Sequence, residues 1–70
     1  MRDTYLVPFQ GETLECETGL DAIAVKLADA ILSGREHVHP GELNRLARVL
    51  EKYDRPMAAQ RVRCQFVLTR

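Results

Sequence analysis

Between Thr18 and Gly34 lies the stretch that most narrows the folds open to this chain. Leu20, Ile23, Ala24, Leu27, Ala30 and Ile31 recur at three- and four-residue spacing and so share one side of an α-helix. Ala22, Val25 and Leu32 add a second apolar strip. Thr18, with Asp21 three residues on, supplies an N-terminal cap, and Gly34 supplies a left-handed stop. A helix apolar on more than one side has to bury the excess, either under neighbouring elements or in a partner. A chain of 70 residues has one core to offer, because at this size only about 60% of the unfolded surface is buried. The expectation is therefore a single small domain over residues 1–70.

The elements around that helix are marked by local chemistry. Tyr5 to Phe9 is β-branched and aromatic, and from Glu12 to Glu17 the residues Thr13, Glu15 and Glu17 alternate with Leu14 and Cys16, so both read as strands. Gln10-Gly11 between them has the length of a two-residue hairpin turn, and Pro8, without an amide hydrogen, belongs on an edge strand or at a bulge. Arg35 to His39 reads as a polar loop. Pro40 then opens a second helix, with Glu42 near the positive end of its dipole. Leu43, Leu46, Ala47, Leu50 and Tyr53 form its core stripe, while Asn44, Arg45, Arg48, Glu51 and Lys52 face away. The short loop predicts an antiparallel helix pair.

Two readings compete after residue 54. Asp54 before Arg55-Pro56 is placed to cap a third helix, and Met57 to Arg61 favour helix. Val62, Cys64, Phe66 and Leu68, however, alternate with Arg61, Arg63, Gln65 and Thr69 as a half-buried strand would. The expected fold is α+β: an N-terminal β-hairpin packed on an antiparallel helix pair, closed by a short helix from about Arg55 or by a third strand.

Composition enters where location and chemistry are concerned. With 46% hydrophobic and 29% charged residues the chain is expected to fold. It has no run of about 18 apolar residues that could span a membrane, and Met1 to Phe9 lacks the layout of a signal peptide. Cys16 and Cys64 stand apart in apolar contexts, as buried thiols in a reducing compartment do. A soluble, cytoplasmic protein is expected.

Enzyme signatures are lacking in the sequence. His37 and His39 with Glu36 or a cysteine form too sparse a set for a metal centre, and His39 is better placed to cap the second helix. Ser33 precedes Gly34 at a helix end and has no base and orienting acid at a recognisable spacing. Glu12, Glu15 and Glu17 fit a solvated strand better than an acid–base pair, and the scattered glycines make no phosphate loop. No catalytic residue, cofactor or metal is expected.

Binding is the remaining class, with two candidate surfaces. The first is the N-terminal strand, where Tyr5, Leu6 and Phe9 could anchor a partner protein or a homodimer seam, unless the aromatic and β-branched positions face the first helix. The second is the row Arg45, Arg48, Lys52 and Arg55, whose spacing places them on one side of the second helix, with Arg61 and Arg63 following. It reads as an anionic-partner surface or as a solvated face paired with Glu42, Glu51 and Asp54. Charge is divided unevenly: residues 1–34 hold two basic and six acidic groups, and residues 35–70 hold eight basic and four acidic. The leading expectation is a non-enzymatic protein-binding module that regulates or inhibits a larger protein, as a homodimer. The alternative is a small nucleic-acid-binding regulator using the basic row.

Overall fold

Gln10 and Gly11 both hold positive φ, 49° and 83°, the backbone of a type I′ turn whose twist suits a two-residue hairpin. The computed structural model describes residues 4–68. The turn joins β1 (Tyr5–Phe9) to β2 (Glu12–Cys16); α1 (Gly19–Leu32), α2 (Pro40–Lys52) and α3 (Pro56–Leu68) follow. The fold is thus the expected α+β arrangement, an antiparallel hairpin packed on helices.

Opposed residues of an antiparallel pair share a face. Tyr5 lies opposite Cys16 and Val7 opposite Leu14, while Leu6 faces Glu15 and Pro8 faces Thr13 on the other side. Val7, Phe9, Leu14 and Cys16 are buried against the helices, whereas Leu6, Pro8, Thr13 and Glu15 are exposed. Pro8 falls one position beyond the pair that closes the turn, where an amide would point away from β2, so its missing donor leaves the ladder intact.

The core comprises Val7, Phe9, Leu14 and Cys16 from the hairpin, Val25, Ala28 and Ile31 from α1, Leu43, Leu46, Ala47 and Leu50 from α2, and Ala59 and Val62 from α3. Among the described elements, α1 is the one in contact with every other. Its N-terminus is capped as expected, with Thr18 Oγ1 accepting from the Asp21 amide at 3.1 Å. Its C-terminus closes through Gly34 at φ 79°, the Gly34 and Arg35 amides donating to the Ile31 and Ala30 carbonyls in a Schellman motif.

The roll of α1 about its own axis decides which of its apolar positions are buried. The strip containing Val25 is the buried one, joined by Ala28 and Ile31, while Leu20 and Ile23 from the longer row turn outward. Two aspartates account for this. Asp29 Oδ1 accepts from both the backbone amide and Nε2 of Gln10, each at 2.8 Å, and Asp21 binds the end of α2. With those two carboxylates held, Leu20 and Ile23 face out, while Ile31 at the far end of the same row reaches the core.

At α2 the expected stripe is buried, with Tyr53 half-covered at its end. His39 caps it, Nδ1 accepting from the Gly41 amide at 3.2 Å. Asp54, expected to cap the third helix, instead terminates the second: at φ 64° it is the left-handed residue of another Schellman motif, the Asp54 and Arg55 amides donating to the Glu51 and Leu50 carbonyls. The helix from Pro56 then runs unbroken through the positions that could have formed a third strand; Thr69, the last residue of that alternation, lies outside the described residues. Burial of Ala59 and Val62 against exposure of Cys64 follows the helical period. Asp54→Gly is expected to raise stability by about 0.5–1 kcal/mol, because glycine relieves the left-handed strain. The check is a higher urea midpoint with unchanged slope.

Candidate functional site

The outward positions of α1 form an exposed apolar surface. Leu20 is 80% and Ile23 65% exposed. A groove beside them, between α1 and α2, is lined by Ala24, Leu27, Leu46 and Val49, with Glu42 and Arg45 on its α2 rim. On the opposite side of the row a second depression is formed by Ile23, Leu27 and Ala30 with Lys26 and Glu36. Ile23 and Leu27 line both, so they form the ridge between them.

The N-terminal strand divides by strand parity. Phe9, grouped in the sequence with Tyr5 and Leu6 as a partner contact, is 1% exposed and belongs to the core, because its side chain shares the helix-facing side with Val7. Tyr5 is 47% exposed, its ring lying 3.9 Å from where a side chain at Gly19 would begin. Leu6, on the water-facing side, is 69% exposed.

Two members of the basic row, Lys52 and Arg55, are engaged by the acidic N-terminal half. Arg55 grips Glu12 with two donors, Nη2 to Oε1 at 2.7 Å and Nε to Oε2 at 3.2 Å. Lys52 Nζ lies 2.8 Å from Asp21 Oδ2 and 3.5 Å from Glu17 Oε1. Arg45 meets Glu42 at 3.5 Å within α2, and Arg63 meets Glu51 at 2.8 Å and Asn44 at 3.2 Å. Among the described residues Arg48 and Arg61 have no carboxylate within ion-pair distance. Lys52 and Arg55 thus bring part of the acidic N-terminal half against the basic C-terminal half, while Arg45 and Arg63 pair within the C-terminal half.

Comparison with known proteins adds no relative: no family model matches the chain, and neither a curated protein nor a solved structure does. The surfaces have to speak for themselves.

The densest polar cluster is the junction of β2, α1 and α2. Tyr53 Oη donates to Asp21 Oδ2 at 2.6 Å and accepts the Glu17 amide at 2.8 Å. Hydrogen bonds from Lys52 and then Tyr53 hold the Asp21 carboxyl below the usual carboxylate range. Burial, reinforced by the bond to Asp21, pushes the Tyr53 phenol up, and burial likewise raises the Cys16 thiol. An ionised acid bonded to a protonated phenol and an ammonium is a closed structural set with every partner spoken for. Cys16 is buried and Cys64 exposed, both as free thiols. Among the described residues no group of three His, Cys, Asp or Glu side chains is placed to hold a metal ion, and no helix is long and apolar enough to cross a membrane.

Two features escaped the sequence reading. The Asp21–Tyr53–Lys52 junction was visible only as a cap and as the end of a stripe. The Asp29–Gln10 latch had one signal, an acid in the second half of a largely apolar helix.

Proposed function

We propose that this chain is a small non-enzymatic protein-binding module that regulates or inhibits a larger cytoplasmic protein by occupying its surface, and that it does so as a homodimer. The observation that carries the reading is the outward turn of Leu20 and Ile23, 80% and 65% exposed, beside an apolar groove. Isolated exposed apolar residues are ordinary, but a contiguous apolar helix face rimmed by charges is the anatomy of an interaction site. Helix 1 was expected to carry more apolar surface than the core could absorb, and this row is that surplus. Tyr5 and Leu6 offer a smaller second contact.

Substitution of the row separates binding from folding. Leu20→Glu/Ile23→Glu is expected to keep the far-ultraviolet circular dichroism of the wild type, since neither side chain is in the core. The same double variant should lose any protein that the immobilised wild-type chain retains from its own cell extract. Retention of the same proteins by both would sink the assignment of this face.

A further inference from the structure

The shape and charge of the α1 face favour one occupant, and we propose that it is a second copy of this chain, with the two α1 helices antiparallel about a twofold axis beside Leu27. This rests on the reading of that face as a docking surface and names what docks there: in the dimer the second copy covers the α1 row, and the larger protein is met by the Tyr5 and Leu6 contacts of the two copies together.

Shape provides the first argument. The face carries both a ridge, Ile23 and Leu27, and a groove floored by the small Ala24 with Leu46 and Val49. About a twofold axis perpendicular to α1 the two ridges lie over one another, so Ile23 and Leu27 of the two copies interleave along the helix direction with groove facing groove on either side.

Charge supplies the second and fixes the direction. One flank of the ridge holds Lys26 and Glu36; the other holds Arg45 and Glu42, together with Asp21, whose charge is taken up by Lys52 and Tyr53 of its own chain and is set aside here. Because the end of α2 binds the start of α1, α2 runs back along α1, and Glu42 lies nearer the α1 C-terminus than Arg45. Glu36, following α1 in the chain, lies beyond Lys26 in the same direction. Each flank therefore carries its cation toward the α1 N-terminus and its anion toward the C-terminus. A twofold axis perpendicular to α1 reverses that order in the second copy, bringing Lys26 to the second copy's Glu36 and Arg45 to its Glu42. A twofold parallel to α1 would instead oppose Lys26 with Arg45 and Glu36 with Glu42, cation to cation and anion to anion. Among the described residues neither Lys26 nor Glu36 has an ion-pair partner within its own chain.

Area sets the strength. A standard interface removes about 800 Å² from each partner, about one-sixth of the 5015 Å² this chain exposes. A 14-residue helix is about 21 Å long, and with a neighbouring helix about 10 Å away it offers a face about 20 Å wide. That is roughly half the standard area, which places the dimer among weak, transient associations.

Sedimentation equilibrium of the full chain from micromolar to millimolar concentration tests this. The wild type is expected to show a reversible monomer–dimer equilibrium. Ile23→Glu should weaken it by at least about a hundredfold, since each interface would bury two unpaired carboxylates. Lys26→Glu and Glu36→Lys should each weaken it roughly fivefold, and the double exchange Lys26→Glu/Glu36→Lys should restore it. Lys26 and Glu36 are exposed, so these variants stay folded and report on the interface even if Ile23→Glu does not. A wild type monomeric at millimolar concentration, a dimer indifferent to Ile23→Glu, or a double exchange that fails to restore association would overturn the proposal. A monomeric wild type that still loses a retained protein on Leu20→Glu/Ile23→Glu would remove the second copy and leave the binding face standing.

Discussion

Phe9→Ala is expected to lower the unfolding free energy by about 3–5 kcal/mol, the usual range for truncating a buried phenylalanine, while Tyr5→Ala changes it by less than about 1 kcal/mol. The two aromatic residues sit four apart on one strand and face the same side, yet their surroundings differ. Phe9 is among the largest fully enclosed side chains and precedes the turn that Asp29 latches to α1. Tyr5 lies over the first turn of α1 with half its surface in water. A domain of this size has about 4–10 kcal/mol in total, at about 0.05–0.15 kcal/mol per residue. Truncating Phe9 removes much or all of it. Urea titration followed by circular dichroism at 25 °C checks both variants: a Phe9→Ala chain as stable as wild type would mean that the hairpin does not pack on α1 as described.

Asp21→Ala is expected to cost about 2 kcal/mol at neutral pH, the range for hydrogen bonds to an ionised group. Its carboxylate, 14% exposed, accepts from Tyr53 and Lys52 and lies in the first turn of α1, where negative charge suits the helix dipole. Alanine would leave the half-buried Tyr53 hydroxyl without its acceptor. The pH dependence identifies the cause. The folded-state pKa of Asp21 lies below its unfolded value, so its contribution is complete above about pH 5 and fades as the pH falls below about 4 and through the lowered folded value. The gap between wild type and Asp21→Ala should therefore be widest near neutrality and narrow toward pH 2. Tyr53 and Cys16 act in the opposite sense: their raised values stabilise the fold until alkaline pH ionises them, above about pH 9. A gap between the two proteins that stays constant from pH 7 to pH 2 would refute the ionic origin.

The parts of the fold that could be read in advance were those announced by local chemistry. Thr18 and Gly34 bracket α1, His39 and Pro40 open α2, and Gln10-Gly11 closes the hairpin, each through a backbone requirement satisfied within a few residues. Two things were decided at longer range. Residues 61–68 carry both a strand-like alternation and good helix formers; packing of Ala59 and Val62 into the core, with Arg63 reaching Asn44 and Glu51, accompanies the helical outcome. The roll of α1 was likewise hidden, because its apolar arc is too broad to name a face. It is set by Asp21 meeting Tyr53, 32 residues away, and Asp29 meeting Gln10, 19 residues away. The candidate site was legible only as a surplus of apolar side chains, since which of them were surplus depended on that roll. Phe9 was misplaced for a related reason: an aromatic strand residue gives no sign of which face of the sheet it will occupy until register is known.

The pairing of the acidic N-terminal half with the basic C-terminal half also governs how fast this protein meets anything else. Net charge is zero, and Arg35, Lys52 and Arg55 are each tied to a carboxylate of the N-terminal half, so opposite charges alternate over short distances and little field extends past the first layers of water. A partner is then found by unassisted diffusion, at about 10⁵–10⁶ M⁻¹s⁻¹, with little response to ionic strength. On the proposed reading, discrimination between right and wrong partners would fall to the lifetime of the complex, set by how well the apolar face of α1 is covered.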